Sequence, residues 1–147
     1  MTAYLRAILI FLLALAFATV LGSIIQTQIN LAALQSLGAP VSLSVRLSAT
    51  ARDLLGFTPA YAAIMGVTLL FALPLAALAA RFLPVWRLLL YFLAGGLGLL
   101  AAFQIADAVA PMPTLIAATR SAEGTAAMML SGAFGGLLFG TLWRTRR

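Results

Sequence analysis

The sequence predicts an all-α integral membrane protein: a four-transmembrane-helix bundle with an interfacial amphipathic helix in its first external loop. Three observations carry this. Of the 147 residues, 64% are hydrophobic and 8% charged, with mean hydropathy +1.13, whereas soluble domains are about half apolar and about a quarter charged. Four apolar runs each approach the ~20 residues that cross a hydrocarbon core of about 30 Å at 1.5 Å per residue. Between the first two lies the chain's one long polar stretch, Gln26 to Pro59.

The first predicted span is Ala7 to Ile25. Tyr4 and Arg6 precede it and suit a membrane–water interface. Ala16, Phe17 and Ala18 have the small-residue spacing of a signal-peptide cleavage site, but the apolar run is longer than a signal-peptide core, so the segment is expected to remain as a span. Polarity begins at Gln26, Gln28 and Asn30. A short helical continuation over Asn30–Leu37 is expected to close at Gly38 and break at Pro40.

From Val41 two periodicities compete. Val41, Leu43, Val45, Leu47 and Ala49 alternate with polar residues, which is a strand signal. Yet Leu47, Ala51, Leu54 and Leu55 share one helical face, and Arg46, Thr50 and Asp53 another. A lone strand leaves its backbone unpaired, which is costly near lipid. An amphipathic helix over about 44–55 is therefore expected, lying flat on the outer leaflet with Leu54 and Leu55 as anchors and ending at Gly56. Thr50 and Asp53 also have capping-box spacing, which would start that helix near Ala51.

The second span is Ala60–Ala80, with Pro74 predicting a kink near Leu70. Arg81, Pro84, Trp86 and Arg87 form a tight interfacial turn. The third span is Leu88–Val109, with Gln104 and Asp107 near its outer end. Ala110–Gly124 is a connector holding Pro111, Pro113, Arg120 and Glu123, and Thr125–Trp143 is the fourth span.

All nine basic residues are arginines, and they are unevenly placed. Arg6, Arg81, Arg87, Arg144, Arg146 and Arg147 fall on one side; Arg46, Arg52 and Arg120, with all three acids, fall on the other. The positive-inside rule then predicts a multi-pass protein of the bacterial cytoplasmic membrane with both termini cytoplasmic and Gln26–Pro59 external. Arginines at helix ends read as topology rather than as a phosphate-binding face, so no nucleic-acid partner is expected.

Small residues recur every fourth position. Gly132, Gly136 and Gly140 form a doubled GxxxG stripe on the fourth span. Ala14, Ala18 and Gly22 repeat the spacing on the first, and Ala94, Gly98 and Ala102 on the third. Lipid supplies little drive for helices to associate, so such stripes provide close packing. Three stripes on three helices favour packing within one bundle over an oligomer interface. A weak internal repeat also aligns Leu21, Gly22, Gln28 and Ile29 with Leu97, Gly98, Gln104 and Ile105. It raises the possibility of two hairpins related along the membrane normal.

The polar residues predicted to gather at the outer end are Arg52, Asp53, Gln104, Asp107, Arg120 and Glu123. Either they pair with one another and anchor the rim, or they form a pocket for a headgroup, quinone or small anion, with Arg52 or Arg120 as bidentate donor. With neither His nor Cys and only three acids, thiol chemistry, disulfides and His-ligated metals are excluded, and no cofactor or metal is expected. Asp107 and Glu123 have no accompanying nucleophile, so an enzyme is not expected. Thr68 and Ser131 are mid-span hydroxyls expected to bond back to their own helix. The expected function is a small accessory or anchoring subunit. Its partners would be the lipid bilayer and a membrane or periplasmic protein, or a second copy of the chain. The alternative is an oligomeric carrier for a lipid-like, quinone-like or anionic molecule.

Overall fold

A computed structural model describes residues 3–110 and 116–143. Pro111 and Pro113 of the connector before the fourth span, and Arg144, Arg146 and Arg147 of the basic end, lie outside the described residues. The described chain is all-helical, in the order α1 (Ala3–Ser36), α2 (Leu43–Gly56), α3 (Thr58–Phe82), α4 (Arg87–Val109) and α5 (Ala122–Leu142). Short 3₁₀ turns at Pro84–Trp86 and Ala117–Arg120 precede α4 and α5. Helices α1, α3 and α5, and α4 with its leading turn, are long and apolar enough to cross a membrane, the pattern of a multi-pass membrane protein.

The first correction concerns α1. The expected span ending at Ile25 and the short helix after Asn30 are one continuous helix of 34 residues, about 51 Å long at 1.5 Å per residue. Gln26, Gln28 and Asn30 do not interrupt it, because Gln is a good helix former and a helix satisfies its own backbone wherever it runs. It stops where the backbone turns. Gly38 has φ +88°, the left-handed conformation that glycine adopts without cost. The Ala39 and Gly38 amides then return to the carbonyls of Leu34 and Gln35 at 3.1 and 3.0 Å, a Schellman closure.

The period-two pattern over 41–50 does not make a strand; residues 43–56 are the helix α2. Its N-cap is Ser42, whose hydroxyl accepts from the Val45 amide at 3.4 Å. Thr50 and Asp53 are therefore interior residues, not the capping box their spacing allows. Phe57 stands alone between α2 and α3 and is itself helical in conformation. Pro59 has no amide to extend the hydrogen-bond ladder, so the junction falls here. Helix α3 continues through Pro74 to Phe82.

The helices pack antiparallel, α1 against α2, α3 and α5, and α4 against α3 and α5. Arg6 donates to the Leu142 carbonyl at 3.1 Å, and Gly135 lies against Ala14 and Ala18. On that register α5 begins opposite Gln28, and residues 29–36 of α1 project beyond the four spans. The contact between Arg6 and Leu142 also places the start of α1 and the end of α5 at the same end of the bundle. Arg87 donates to the Trp143 carbonyl there, so two arginines serve the carbonyls that the end of α5 leaves unpaired.

The glycines decide how near the helices come. A methyl group on Gly132 would strike the Gly95 carbonyl, and one on Gly136 the Tyr91 carbonyl; one on Gly140 would strike the Tyr91 ring. This face of α5 is therefore pressed against α4, while Gly135, on the next face, meets α1. Gly22 of α1 accommodates the ring of Tyr61, and Gly98 of α4 lies on Thr68 and Ala72 of α3. The aligned glycines of the suggested repeat hold different places: Gly22 packs on the next span along the chain, Gly98 on the preceding one. The connecting segments differ as well: a 14-residue helix follows α1, and among the described residues a 4-residue turn precedes α5.

Candidate functional site

The end of the molecule away from Arg6 and Leu142 is built around the hairpin of α1 and α2. Thr27 donates to the Asp53 carboxylate at 2.6 Å, a length typical of a hydroxyl bonded to a charged oxygen. Gln28 donates to Thr50 at 3.2 Å. Arg46 donates to the side-chain carbonyls of Gln28 at 2.8 Å and Gln35 at 2.9 Å. These contacts run over residues 27–35 of α1 and 46–53 of α2, so α2 runs beside α1 in antiparallel register. The polar face that the sequence assigns to Arg46, Thr50 and Asp53 is turned onto α1. The apolar flank is turned outward: Leu43 is 72% exposed, Leu47 64% and Leu55 83%, while Leu54 is half-buried. Polar groups inside and leucines outside reverse the order expected of a hairpin standing in water.

The six predicted rim residues lie on α2, on α4 and around the turn into α5. Asp53 is half-buried and holds Thr27. Arg52 is exposed on the outward side of α2, and Gln104 is exposed on α4, with Asp107 half-buried one turn further on. Arg120 and Glu123 are exposed beside the turn into α5. That turn is organised locally. Ser121 caps α5 by accepting from the Gly124 amide at 3.0 Å, and Thr125 donates to the carbonyls of Thr119 and Ser121 at 3.2 and 2.9 Å. Gly124 is needed because a methyl group there would strike the Ala118 carbonyl.

The bundle also has an open apolar groove of about 910 Å³ between α3 and α4. Val67, Phe71, Leu97 and Ile105 are among its walls, and Ala72 and Gly98 lie on its floor. Arg52, Gln104 and Asp107 do not line it.

The sequence reading missed the buried node below the hairpin. Tyr61 is fully buried and lies 2.7 Å from the Ser131 hydroxyl. Ser131 gives its own proton to the Met128 carbonyl at 2.7 Å, so Tyr61 is the donor. With Gly22 under its ring, Tyr61 ties α1, α3 and α5 together, and Phe57 stacks on it at 5.2 Å between ring centroids. The available signal was one polar aromatic near the start of a span. Thr68 bonds back to the Ile64 carbonyl at 2.8 Å, and Ser131 bonds both to its own helix and to Tyr61.

Compared with protein-family models, curated proteins and solved structures, the chain matches none.

Proposed function

We propose that the chain is a non-enzymatic accessory or anchoring subunit that docks a membrane or periplasmic protein on the outward flank of its α1–α2 hairpin. One observation carries this reading. The polar face of α2 (Arg46, Thr50 and Asp53) is spent on hydrogen bonds to α1, leaving Leu43, Leu47 and Leu55 uncovered. Exposed leucines rimmed by Ser44, Ser48 and Arg52 form the kind of surface that partners cover. Leu55 lies level with the outer ends of the spans and also supports a contact with the membrane interface, where the sequence places α2.

The test is mild-detergent purification from the native membrane. A stoichiometric partner is expected with the unaltered chain and is expected to be lost from the Leu47→Ser, Leu55→Ser double variant, whose four spans keep their thermal stability. A chain that purifies alone, with the double variant behaving identically, rejects the reading.

The orientation proposed for this subunit is cytoplasmic termini in a bacterial cytoplasmic membrane, supported by the six-to-three arginine imbalance. A reporter fused after Arg147 is expected to be active only if it works in the cytoplasm; activity of a periplasmic reporter at that site reverses the orientation.

The α3–α4 groove supports a second reading, a carrier or binding protein for a lipid-like molecule. Its volume falls within the roughly 300–1,000 Å³ of small-molecule sites. Thr68, its one polar wall residue, spends its hydroxyl proton on its own helix, so the groove suits an apolar ligand rather than an anion. Ala101 is exposed on the groove wall. Native mass spectrometry is expected to show a retained lipid-like molecule that Ala101→Trp expels; equal retention by both proteins dismisses this site.

A further inference from the structure

We propose that α1 holds a short chain of ordered water molecules inside the outer half of the bundle, bound by Thr19, Ser23 and Gln26. The Oγ1 of Thr19, the Oγ of Ser23 and the Oε1 of Gln26 are buried and have no hydrogen-bond partner among the described residues. The three residues are 2%, 0% and 7% exposed. Spacings of four and three put them on one stripe of the helix.

These hydroxyls differ from others in the spans. Thr68 and Ser131 each bond to a carbonyl one turn back. Thr19 and Ser23 are not satisfied by their own helix in this way. A buried polar atom with nothing to bond is rare in native proteins, and lipid offers it no partner. Where α1 packs dry, at Ala14 and Ala18 against Gly135, it uses alanine. Dry packing over the next turns would be served by the same residue type.

The chemistry selects water over an ion. Thr19 and Gln26 are about 10 Å apart along the helix axis, whereas the ligands of one metal ion converge to about 2.3–2.6 Å from its centre. All three groups are also neutral. Separate waters, each bridging two or more polar groups, match both the length and the charge. The stripe ends at the outer rim on a charged group. The Thr27 hydroxyl, which donates to Asp53 at 2.6 Å, lies 3.0 Å from the Ser23 carbonyl. The chain of waters is thus continuous with the polar seam of the hairpin.

Isosteric removal of the polar groups tests this with opposite signs for the two cases. In the purified full-length protein, Thr19→Val and Ser23→Ala are each expected to lower the Tm by about 2–4 °C, because each leaves a bound water short of a partner. The double variant is expected to lose less than the sum of the two, because neighbouring waters are shared. An unchanged or raised Tm in both single variants overturns the proposal, since removing a dry orphan hydroxyl relieves the cost of its burial. An independent reading needs no variant. Water-to-protein magnetisation transfer in the unaltered chain is expected at Ser23 and at the Gln26 side-chain amide; its absence at both overturns the proposal.

Discussion

Replacing Gly136 by leucine is expected to lower the thermal midpoint of the purified protein by on the order of 10 °C. At this position the first side-chain carbon already meets the Tyr91 carbonyl and comes close to Gly95. Backbone cannot rotate aside as a flexible side chain can, so α4 and α5 must separate. Overpacking a dense interior costs roughly 1–3 kcal/mol and occasionally more; a collision with backbone belongs at the upper end. Separation also removes the neighbouring contacts of Gly132 with Gly95 and Gly140 with Tyr91, and lipid supplies little hydrophobic drive to restore them. Thermal unfolding in detergent measures the effect. Gly56→Leu is the control, since nothing lies near the space its side chain would enter. Equal midpoints for the two variants would mean that the contact between α4 and α5 is not tight.

Tyr61→Ala is expected to cost about 3–5 kcal/mol, the range for deleting a buried aromatic ring. Tyr61→Phe is expected to cost about 1 kcal/mol, the net worth of one hydrogen bond. The difference follows from the geometry. The phenylalanine variant keeps the ring over Gly22 and the stack with Phe57. It leaves Ser131 still bonded to the Met128 carbonyl, so no buried hydroxyl is stranded. The alanine variant empties the space where α1, α3 and α5 meet. Because Phe57 joins α2 to α3, amide exchange in α2 is expected to quicken in the alanine variant and to stay near its original rate in the phenylalanine variant. If both variants are equally stable, the node owes little to the ring.

Much of the helical architecture was legible because its causes are local. Apolar length and composition marked out four helices, and their expected limits fell close to those of α3, α4 and α5. A glycine at position 38 and a proline at 40 ended α1 through backbone conformation, a property of those residues wherever they stand. The helix over 43–56 was likewise favoured over a strand by an argument about one segment: a strand there has no partner for its backbone.

What the tertiary structure decided concerns which surfaces meet. Residues 26–35 look like the start of an external loop when read alone, because glutamine and asparagine follow an apolar run. Their own propensity keeps them helical, and α2, returning alongside, gives Thr27, Gln28 and Gln35 side-chain partners in Asp53, Thr50 and Arg46. Those partners are 11–26 residues away along the chain, beyond the reach of any helical period. The same return turned the charged face of α2 inward and left its leucines outside. Amphipathic spacing separates two faces but does not say which one meets protein. Tyr61 joined Ser131 across 70 positions, a pairing that only the approach of α3 and α5 creates. The glycine stripes were visible as spacing, but which helix each one admits depended on the packing of the whole bundle.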